Sequence, residues 1–450
     1  MVINSRAVAE DLLNKRSANY SDRPFPMMAG TLMNRSKSMF YISYNERCKT
    51  YRRLMQQSFN KSAAQDYWGV QEHEARVFVD NLVQSPERLV QLLRRGGNLM
   101  SDVARNAAAI IMRIGYGYDV KSDDDHFVTI AEEALRVGSA AGAPGKWMVD
   151  SLPWLRFVPE WVPGAAFKRR AREWSKKLYD QSLEPHDFVK KQIVQGIAPP
   201  SFTAQLLQPS DGSKVDAERD DIILWTAGAL YAAGADTVVS AVKSFFFCMM
   251  MNPELQLRAQ KEVDAFIATE HRLPNLQDRE RGILSFITCM IQETLRWHPA
   301  SPMGIFHATA KDDVYQGYFI PAKTTVIGNI WAMMHDEEVH PDPDTFDPDR
   351  FTGVNGRRIE DDPRDLVFGF GRRVCPGQHL AESSMWMQLV LTLACLDIKK
   401  AVDENGNMIE PELGFTTAIV SHVAAFPYQI VPREGEALKL MRQALAAESN

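Results

Sequence analysis

The chain has 450 residues, 45% of them hydrophobic, and a net charge of −6 at neutral pH. Basic and acidic side chains are mixed along it, which argues against nucleic acid as a bulk electrostatic partner. The five cysteines are widely spaced and include no Cys-x-x-Cys pair, which argues against a disulfide framework or a structural zinc site. They are Cys48, Cys248, Cys289, Cys375 and Cys395.

The first residues show no signal or transit peptide pattern, because the segment 1–16 is short, amphipathic and partly acidic. The apolar stretch 222–251 is long enough to cross a bilayer. It also carries Asp236 and Lys243, and charged side chains are costly in hydrocarbon. A buried core helix is therefore the favoured interpretation, and an integral membrane protein is the alternative.

Hydrophobic periodicity predicts helices along most of the chain. In chain order they cover residues 7–16, 64–84, 89–116, 126–138, 165–195, 220–251, 253–269, 284–298 and 377–400. Strand patterns are short and late, at residues 314–320, 324–331 and 423–431, and an exposed loop is predicted at 199–212. The pattern predicts a mainly α fold with small β-sheets.

Residues 138–164 combine several prolines and glycines with large apolar side chains. Apolar residues in such a loop usually pack onto the core. The alternative is a lid that touches a membrane surface or an apolar ligand.

One cysteine lies in a glycine-rich loop, Phe368-Gly-Phe-Gly-Arg-Arg-Val-Cys-Pro-Gly377, directly before an apolar helical pattern. The N-terminus of that helix and the two preceding arginines favour a thiolate at Cys375. Gly371 and Gly377 lack Cβ atoms, so a flat ligand could approach the backbone closely. A buried, inert thiol in a tight turn is the alternative.

A second motif, Ala233-Gly-Ala-Asp-Thr237, lies inside the longest apolar helix. Glycine in a helix costs about 1 kcal/mol relative to alanine, and buried Asp and Thr need polar partners. One interpretation is a helix kink in which Thr237 bonds back to a carbonyl oxygen. The other is a functional groove.

The loop resembles the haem-binding loop of the cytochrome P450 family, Phe-x-x-Gly-x-Arg-x-Cys-x-Gly. Its fixed positions are Phe368, Gly371, Arg373, Cys375 and Gly377. The resemblance implies a P450 fold with haem b (iron protoporphyrin IX), whose iron is bound by Cys375. Thiolate ligation of haem favours O–O cleavage.

The second motif resembles the family's oxygen-activation pattern at Gly234, Asp236 and Thr237. The resemblance implies that the small residues open a groove for O2. The acid and the alcohol would then deliver protons to the oxygen.

A third pattern, Glu293-Thr-Leu-Arg296, is followed later by Arg350. In the family these three positions form a buried ion network behind the haem loop. Losing one member would leave buried charge without a partner, so haem incorporation should suffer more than catalysis.

The resemblance implies that Arg373, Arg52 and His307 bind the haem propionates, which need cationic or hydrogen-bonding partners. The family has tryptophan four residues before the position of Arg52. This chain has Cys48 there, which removes one expected donor.

Similarity extends from about residue 2 to residue 432 and is closest to fungal microsomal-type members. It implies one haem domain over 1–450, shortened at the N-terminus, with the segment 1–4 as the tail of an early strand whose sheet is partly unpaired. The implied location is the cytoplasmic face of the endoplasmic reticulum membrane if an anchor precedes Met1, and the cytoplasm otherwise.

The implied reaction inserts one oxygen atom of O2 into a small lipophilic substrate, in secondary metabolism. By family analogy, segments 30–42, 225–237, 302–306 and 415–421 line the substrate pocket, and no charged residue stands out as a substrate anchor. NADPH-cytochrome P450 reductase would supply electrons and dock on a basic face. That face would comprise Arg47, Lys49, Arg52, Arg53 and Arg372.

Two further functions stay open. One is an O2-independent isomerase or dehydratase on the same haem, which often lacks the acid–alcohol pair. The other is a non-catalytic protein that binds haem or a lipophile.

Overall fold

The computed structural model describes residues 1–84, 99–120, 125–143 and 145–448, without the side chains of 99–102. Its α-helices are α1 (Arg6–Ala9), α2 (Glu46–Phe59), α3 (Trp68–Gln84), α4 (Leu99–Tyr116), α5 (His126–Gly142), α6 (Met148–Ser151), α7 (Ala166–Gln195), α8 (Phe202–Leu207), α9 (Ala217–Met251), α10 (Pro253–Glu270), α11 (Leu276–Glu280), α12 (Ser285–Trp297), α13 (Ile330–Met334), α14 (Arg364–Val367), α15 (Gln378–Cys395) and α16 (Glu436–Glu448). Helix α1 continues as a π-helical segment, Glu10–Lys15.

The strands are β1 (Val2–Ile3), β2 (His307–Ala308), β3 (Asp313–Tyr315), β4 (Tyr318–Ile320), β5 (Thr325–Gly328), β6 (Leu396–Lys400) and β7 (Tyr428–Pro432). They form three small sheets with the orders β1-β5-β2, β3-β4 and β6-β7. Strand β1 pairs in parallel with β5 and is the outer strand of its sheet. The predicted early strand and the mainly α fold are therefore confirmed.

Helix α9 is the centre of the fold. It begins at an N-cap, Asp216, whose side chain accepts the backbone N–H of Arg219 at 2.7 Å. It packs against α2, α4, α7 and α15. Within the described residues α9 is long and apolar enough to cross a membrane, but 67% of its most apolar window is buried inside the protein. This burial supports the interpretation as a core helix.

Some predicted boundaries are wrong. The helix predicted at 377–400 ends at Cys395, and Leu396–Lys400 is strand β6, in which burial alternates with the period of two that a strand requires. The strand predicted at 314–320 is a hairpin. Gln316 and Gly317 form its turn with φ angles of +52° and +83°, the left-handed pair that a tight hairpin favours.

Other elements also differ from the prediction. Residues 324–331 contain β5 and the start of α13, and within 423–431 only the part from Tyr428 belongs to β7. The loop predicted at 199–212 contains α8, which is capped by Ser201. The predicted helices omit α2, because its polar composition hides its periodicity. The first residues of the helix predicted at 89–116 lie outside the described residues.

The described part of 138–164 has both buried and exposed apolar side chains. Trp147 and Val149 are buried, so part of the segment packs onto the core. Trp154, Phe157 and Trp161 are 61%, 72% and 82% exposed. These three side chains therefore form an apolar surface.

Candidate active site

The cysteine loop is fixed by its glycines. Gly369 and Gly371 have φ angles of +81° and +49°, which side-chain-bearing residues rarely adopt. A Cβ on Gly371 would overlap the carbonyl oxygen of Leu13. The backbone N–H of Cys375 donates to the carbonyl oxygen of Phe368 at 2.7 Å, which closes the loop.

The Cys375 side chain faces a cavity inside the protein. Burial raises the pKa of its thiol, while the backbone N–H of Gly377 and the charge of Arg52 oppose that rise. Arg372 instead turns outward over the ring of Tyr44, at 5.3 Å. Among the described residues, the charge that acts on the pKa of this thiol is that of Arg52.

Four arginines line the same cavity, and three of them, Arg23, Arg52 and Arg373, lie close enough to affect one another's pKa. Arg373 donates to two main-chain carbonyl oxygens at 2.8 and 2.6 Å, and Arg52 donates to the carbonyl oxygen of Val374 at 2.6 Å. Arg23, which the sequence interpretation missed, is anchored by two main-chain carbonyl oxygens, and its buried Nε has no partner in the part of the chain that the structure describes. The sequence offered one cue for Arg23, which is that it directly precedes a proline.

Among the described residues, none of these three arginines forms an ion pair with a carboxylate. Burial lowers the pKa of all three guanidinium groups, and the charge of Arg373 lowers that of Arg23 further. Buried cations without counter-charges are costly. The cluster of Arg23, Arg52 and Arg373 therefore suits a ligand that carries carboxylates.

His307 lies beside this cluster. Its Nδ1–H donates to the carbonyl oxygen of Tyr20 at 2.6 Å, and burial, followed by the charge of Arg23, lowers its pKa to about 3. The imidazole is thus neutral and offers Nε2 to the cavity side as an acceptor. Cys48 is fully buried near the same arginines.

The predicted basic docking face is smaller than expected. Arg47 pairs with Asp221, and Lys49 pairs with Glu46 at 2.6 Å. Because Arg52 points towards the cavity, it cannot serve the outer surface as well. Of the residues predicted for this docking face, Arg53 and Arg372 are exposed and take part in none of these contacts.

The second motif lies on the cavity side of α9 without a break in the helix. Thr237 Oγ1 donates to the carbonyl oxygen one turn earlier at 3.0 Å, as the structural interpretation required. A Cβ on Gly234 would lie 2.6 Å from Ile111 Cδ1, so this glycine also permits the close approach of α4. Asp236 Oδ1 lies 3.0 Å from Nε2 of His422, a partner that the sequence did not reveal.

The ion network is complete and fully buried. Arg296 donates to both carboxylate oxygens of Glu293, and Arg350 Nε lies 3.4 Å from one of them. Burial raises the pKa of Glu293, whereas its arginine partners lower it. Glu360, a member that the sequence did not reveal, accepts from Arg350 at 3.2 Å.

The cavity has a volume of about 420 Å³ and a largely apolar lining. Each of the four predicted segments contributes residues to it. Helices α4, α5 and α7 contribute further residues that the sequence interpretation missed, namely Ala107, Ile110, Ile111, Ala131, Ala134, Leu135, Gly138, Ser139, Leu178 and Gln181.

A fourth arginine, Arg35, lines the cavity from the predicted pocket segment 30–42. Arg35 donates to the carbonyl oxygen of Leu178 at 2.9 Å and lies over the ring of Trp225 at 4.9 Å. Burial lowers its pKa to about 10, so it stays charged at neutral pH.

The family profile of cytochrome P450 matches residues 1–423. The chain belongs to the cytochrome P450 family. It is 39% identical to the cytochrome P450 monooxygenase claR of Ampulloclitocybe clavipes, over 98% of this chain and 80% of that one. It is 35% identical to the tryptamine 4-monooxygenase of Psilocybe cyanescens, over 98% of this chain and 84% of that one.

The cytochrome P450 fold is also shared with a solved zebrafish cytochrome P450, with a TM-score of 0.71 and 21% identity over 96% of this chain and 93% of that one. The fungal relatives are named monooxygenases, and this P450 is accordingly a monooxygenase, an oxidoreductase. Membership of the family implies a haem cofactor, O2, a lipophilic substrate and a redox partner that supplies electrons.

Proposed function

We propose that this P450 inserts one oxygen atom of O2 into a small lipophilic substrate of secondary metabolism and reduces the other to water. The observation that supports the proposal is the arrangement around one cavity. Cys375 faces it from a glycine-fixed loop, the cluster of Arg23, Arg52 and Arg373, which has no carboxylate partner among the described residues, lines it, and an acid–alcohol pair borders it.

The residues fit a haem b. Cys375 would bind the iron, Phe368 would cover the loop, and Gly371 and Gly377 would let the ring approach the backbone. When bound, the haem supplies the activation of O2. The whole chain, 1–450, would serve as one haem domain.

We assign the haem carboxylates to Arg373, Arg52 and the additional Arg23. Their charge is otherwise uncompensated, and Arg23 Nε has no partner among the described residues. Burial holds the His307 imidazole neutral. It would donate to a haem carboxylate through Nε2 only after that carboxylate has raised its pKa and it has bound a proton.

Gly234 would leave room beside α9 for O2. Asp236 would hold and release a proton next to the groove, and the hydroxyl of Thr237 would pass it on. This pair favours the monooxygenase over an O2-independent isomerase or dehydratase on the same haem.

The substrate would be held mainly by shape, because the lining is largely apolar. Arg35 adds one fixed positive charge in that lining. A lipophilic molecule that turns an oxygen acceptor towards Arg35 therefore suits the cavity better than one that carries an amine.

Electrons would come from NADPH-cytochrome P450 reductase, docked near the exposed Arg53 and Arg372. The enzyme would work at the cytoplasmic face of the endoplasmic reticulum. The exposed aromatic side chains of 138–164 support a peripheral contact with a membrane, since Arg169 and Arg170 are exposed shortly after them in the chain and attract anionic headgroups.

The test is the absorption spectrum of the reduced, carbon monoxide-bound protein, together with consumption of NADPH and O2 in the presence of reductase. We expect the long-wavelength Soret band of thiolate ligation and its loss in Cys375→Ser. A haem-loaded protein without that band would overturn the thiolate assignment. A thiolate band with no consumption of NADPH or O2 would favour the non-catalytic alternative.

A further inference from the structure

The carboxylate of Asp236 has one ion-pair partner among the described residues. Nε2 of His422 lies 3.0 Å from Asp236 Oδ1, and both side chains are largely buried. The two other aspartates of α9, Asp220 and Asp221, have partners on the neighbouring helices α7 and α2. Asp236 instead receives its partner from a turn near the C-terminus, residues 416–422.

That turn is held rigidly on itself. The backbone N–H of His422 donates to Thr416 Oγ1 at 2.9 Å, and the N–H of Thr416 donates back to the carbonyl oxygen of His422 at 2.9 Å. The N–H of Ser421 donates to the carbonyl oxygen of Ala300 at 2.8 Å. The position of the imidazole is therefore fixed by backbone bonds on both sides.

Helix α9 meets the turn along one polar stripe. Asp236, Ser240 and Ser244 are spaced four residues apart, so they share one face of the helix. Ser240 Oγ donates to the carbonyl oxygen of Ser421 at 2.5 Å, and Ser244 Oγ lies 2.7 Å from Nδ1 of His298. Asp236, Ser240 and Ser244 lie on three consecutive turns of α9, and each has a polar partner. This packing places His422 beside Asp236.

Nδ1 of His422 is buried and has no hydrogen-bond partner among the described residues. The imidazole therefore contacts Asp236 with one nitrogen and keeps the other free to bind a proton. One titratable neighbour of this imidazole is His298, and Lys243 and His335 lie near His298 in turn. Burial lowers the pKa of Lys243 and holds His298 and His335 near pKa 4, so both histidines are neutral at neutral pH.

We propose that His422 is the positioning residue that holds Asp236 beside Thr237 and restores its proton. A proton on His422 moves from Nε2 to Asp236 Oδ1, so one N–H bond breaks and one O–H bond forms. The products are a neutral imidazole and a neutral carboxylic acid. The transfer leaves a hydrogen on the buried Nδ1, so the next proton binds at Nε2 once Asp236 has released its own. The proposal rests on the proton-delivery role that the proposed function gives to Asp236.

The chain offers a matched control. His186 is buried, its Nε2 lies 2.8 Å from Asp220 Oδ1, and its Nδ1 also lacks a partner among the described residues. Asp220 lies on α9 as well, but about four turns before Asp236, outside the cavity. If the loss of any buried histidine that contacts an aspartate of α9 impaired the enzyme, His186→Gln would therefore show the same effect.

The experiment compares His422→Gln, His422→Ala, His186→Gln and Asp236→Asn as haem-loaded enzymes with reductase. The measurements are product and hydrogen peroxide per NADPH between pH 6 and 9. We expect His422→Ala to lower product per NADPH about tenfold, with matching peroxide, while the carbon monoxide spectrum is kept. His422→Gln should retain part of the coupling, because its side-chain amide can contact Asp236 in place of Nε2. His186→Gln should behave as the parent.

Infrared spectroscopy of the carboxyl region gives a second measurement that does not depend on turnover. The band assigned by its loss in Asp236→Asn should shift in both His422 variants and not in His186→Gln. If Asp236→Asn stays coupled, the role of Asp236 and this proposal both fall. If Asp236→Asn uncouples while both His422 variants keep parental coupling, pH profile and carboxyl band, the proposal alone is overturned.

Discussion

Arg296 donates two hydrogen bonds to the carboxylate of Glu293, at 2.7 and 2.8 Å, and neither side chain is exposed. Arg296 also donates to the main-chain carbonyl oxygens of Met334 and Pro343. The pair therefore ties α12 to α13 and to the irregular segment that leads to the cysteine loop.

Removing the carboxylate of Glu293 should destabilise the folded protein. Glu293→Gln leaves Arg296 buried without its counter-charge and leaves Arg350 with Glu360 alone, so we expect the free energy of unfolding to fall by about 3–5 kcal/mol. Haem content should fall with it. The measurements are urea unfolding and the ratio of Soret to protein absorbance. Asp180→Asn is the control, because its pair with Lys176 is exposed and should change stability by less than about 1 kcal/mol. Equal effects of the two substitutions would contradict the prediction.

The hydroxyl of Thr237 should matter for coupling and not for folding. We expect Thr237→Ala to keep the thiolate spectrum while product per NADPH falls about tenfold and hydrogen peroxide rises. Thr226→Ala is a matched control, because Thr226 makes the same bond to the carbonyl oxygen of Ile222 on the same helix, outside the cavity. Unchanged coupling in Thr237→Ala, or equal uncoupling in the two variants, would refute the role of this hydroxyl.

Local patterns were sufficient for much of the molecule. Helix α9 was predictable because its apolar run is long, and the cysteine loop was predictable because its glycines lie at fixed spacing around Cys375. Each of these two signals lies within a short segment of the chain. The alternation within 396–400 was hidden because it follows directly on the apolar run of α15.

The partners that complete the site were not predictable. Asp236 meets His422, and Arg23 meets the other cavity arginines, only because elements far apart in the chain pack together. A single sequence carries no signal for such long-range contacts. The same reason explains Arg35, whose position in a polar loop gave no sign that it would be buried against Trp225.

Acid should destabilise this protein partly through His298. Burial, followed by the charges of His422, His335 and Lys243, lowers its pKa to about 4 from an ordinary value of 6.5. A depressed histidine pKa means that the unfolded chain binds the proton more tightly, so the stabilisation is complete above pH 6.5 and is lost as pH falls towards 4. Each pH unit in that window costs about 1.4 kcal/mol.

Between pH 7.5 and pH 5, we therefore expect the free energy of unfolding to fall by about 2 kcal/mol less in His298→Gln than in the parent, as measured by urea unfolding. The comparison uses the difference between the two pH values, so a general loss of stability in the variant cancels. His126→Gln, which removes an exposed histidine from α5, is the control. Identical pH differences in the parent and His298→Gln would contradict the assignment.

The aromatic surface of 138–164 should bind membranes. Phe157 and Trp161 are among the most exposed large apolar side chains, and burying such a side chain is worth about 1.5–3 kcal/mol. We expect the double variant Phe157→Ser, Trp161→Ser to reduce co-sedimentation with phosphatidylcholine–phosphatidylserine vesicles more than tenfold. Val194→Ser with Ile197→Ser is the control, because these residues are equally exposed at the other end of α7. Binding that survives in the first variant, or falls equally in the second, would show that this surface does not make the contact.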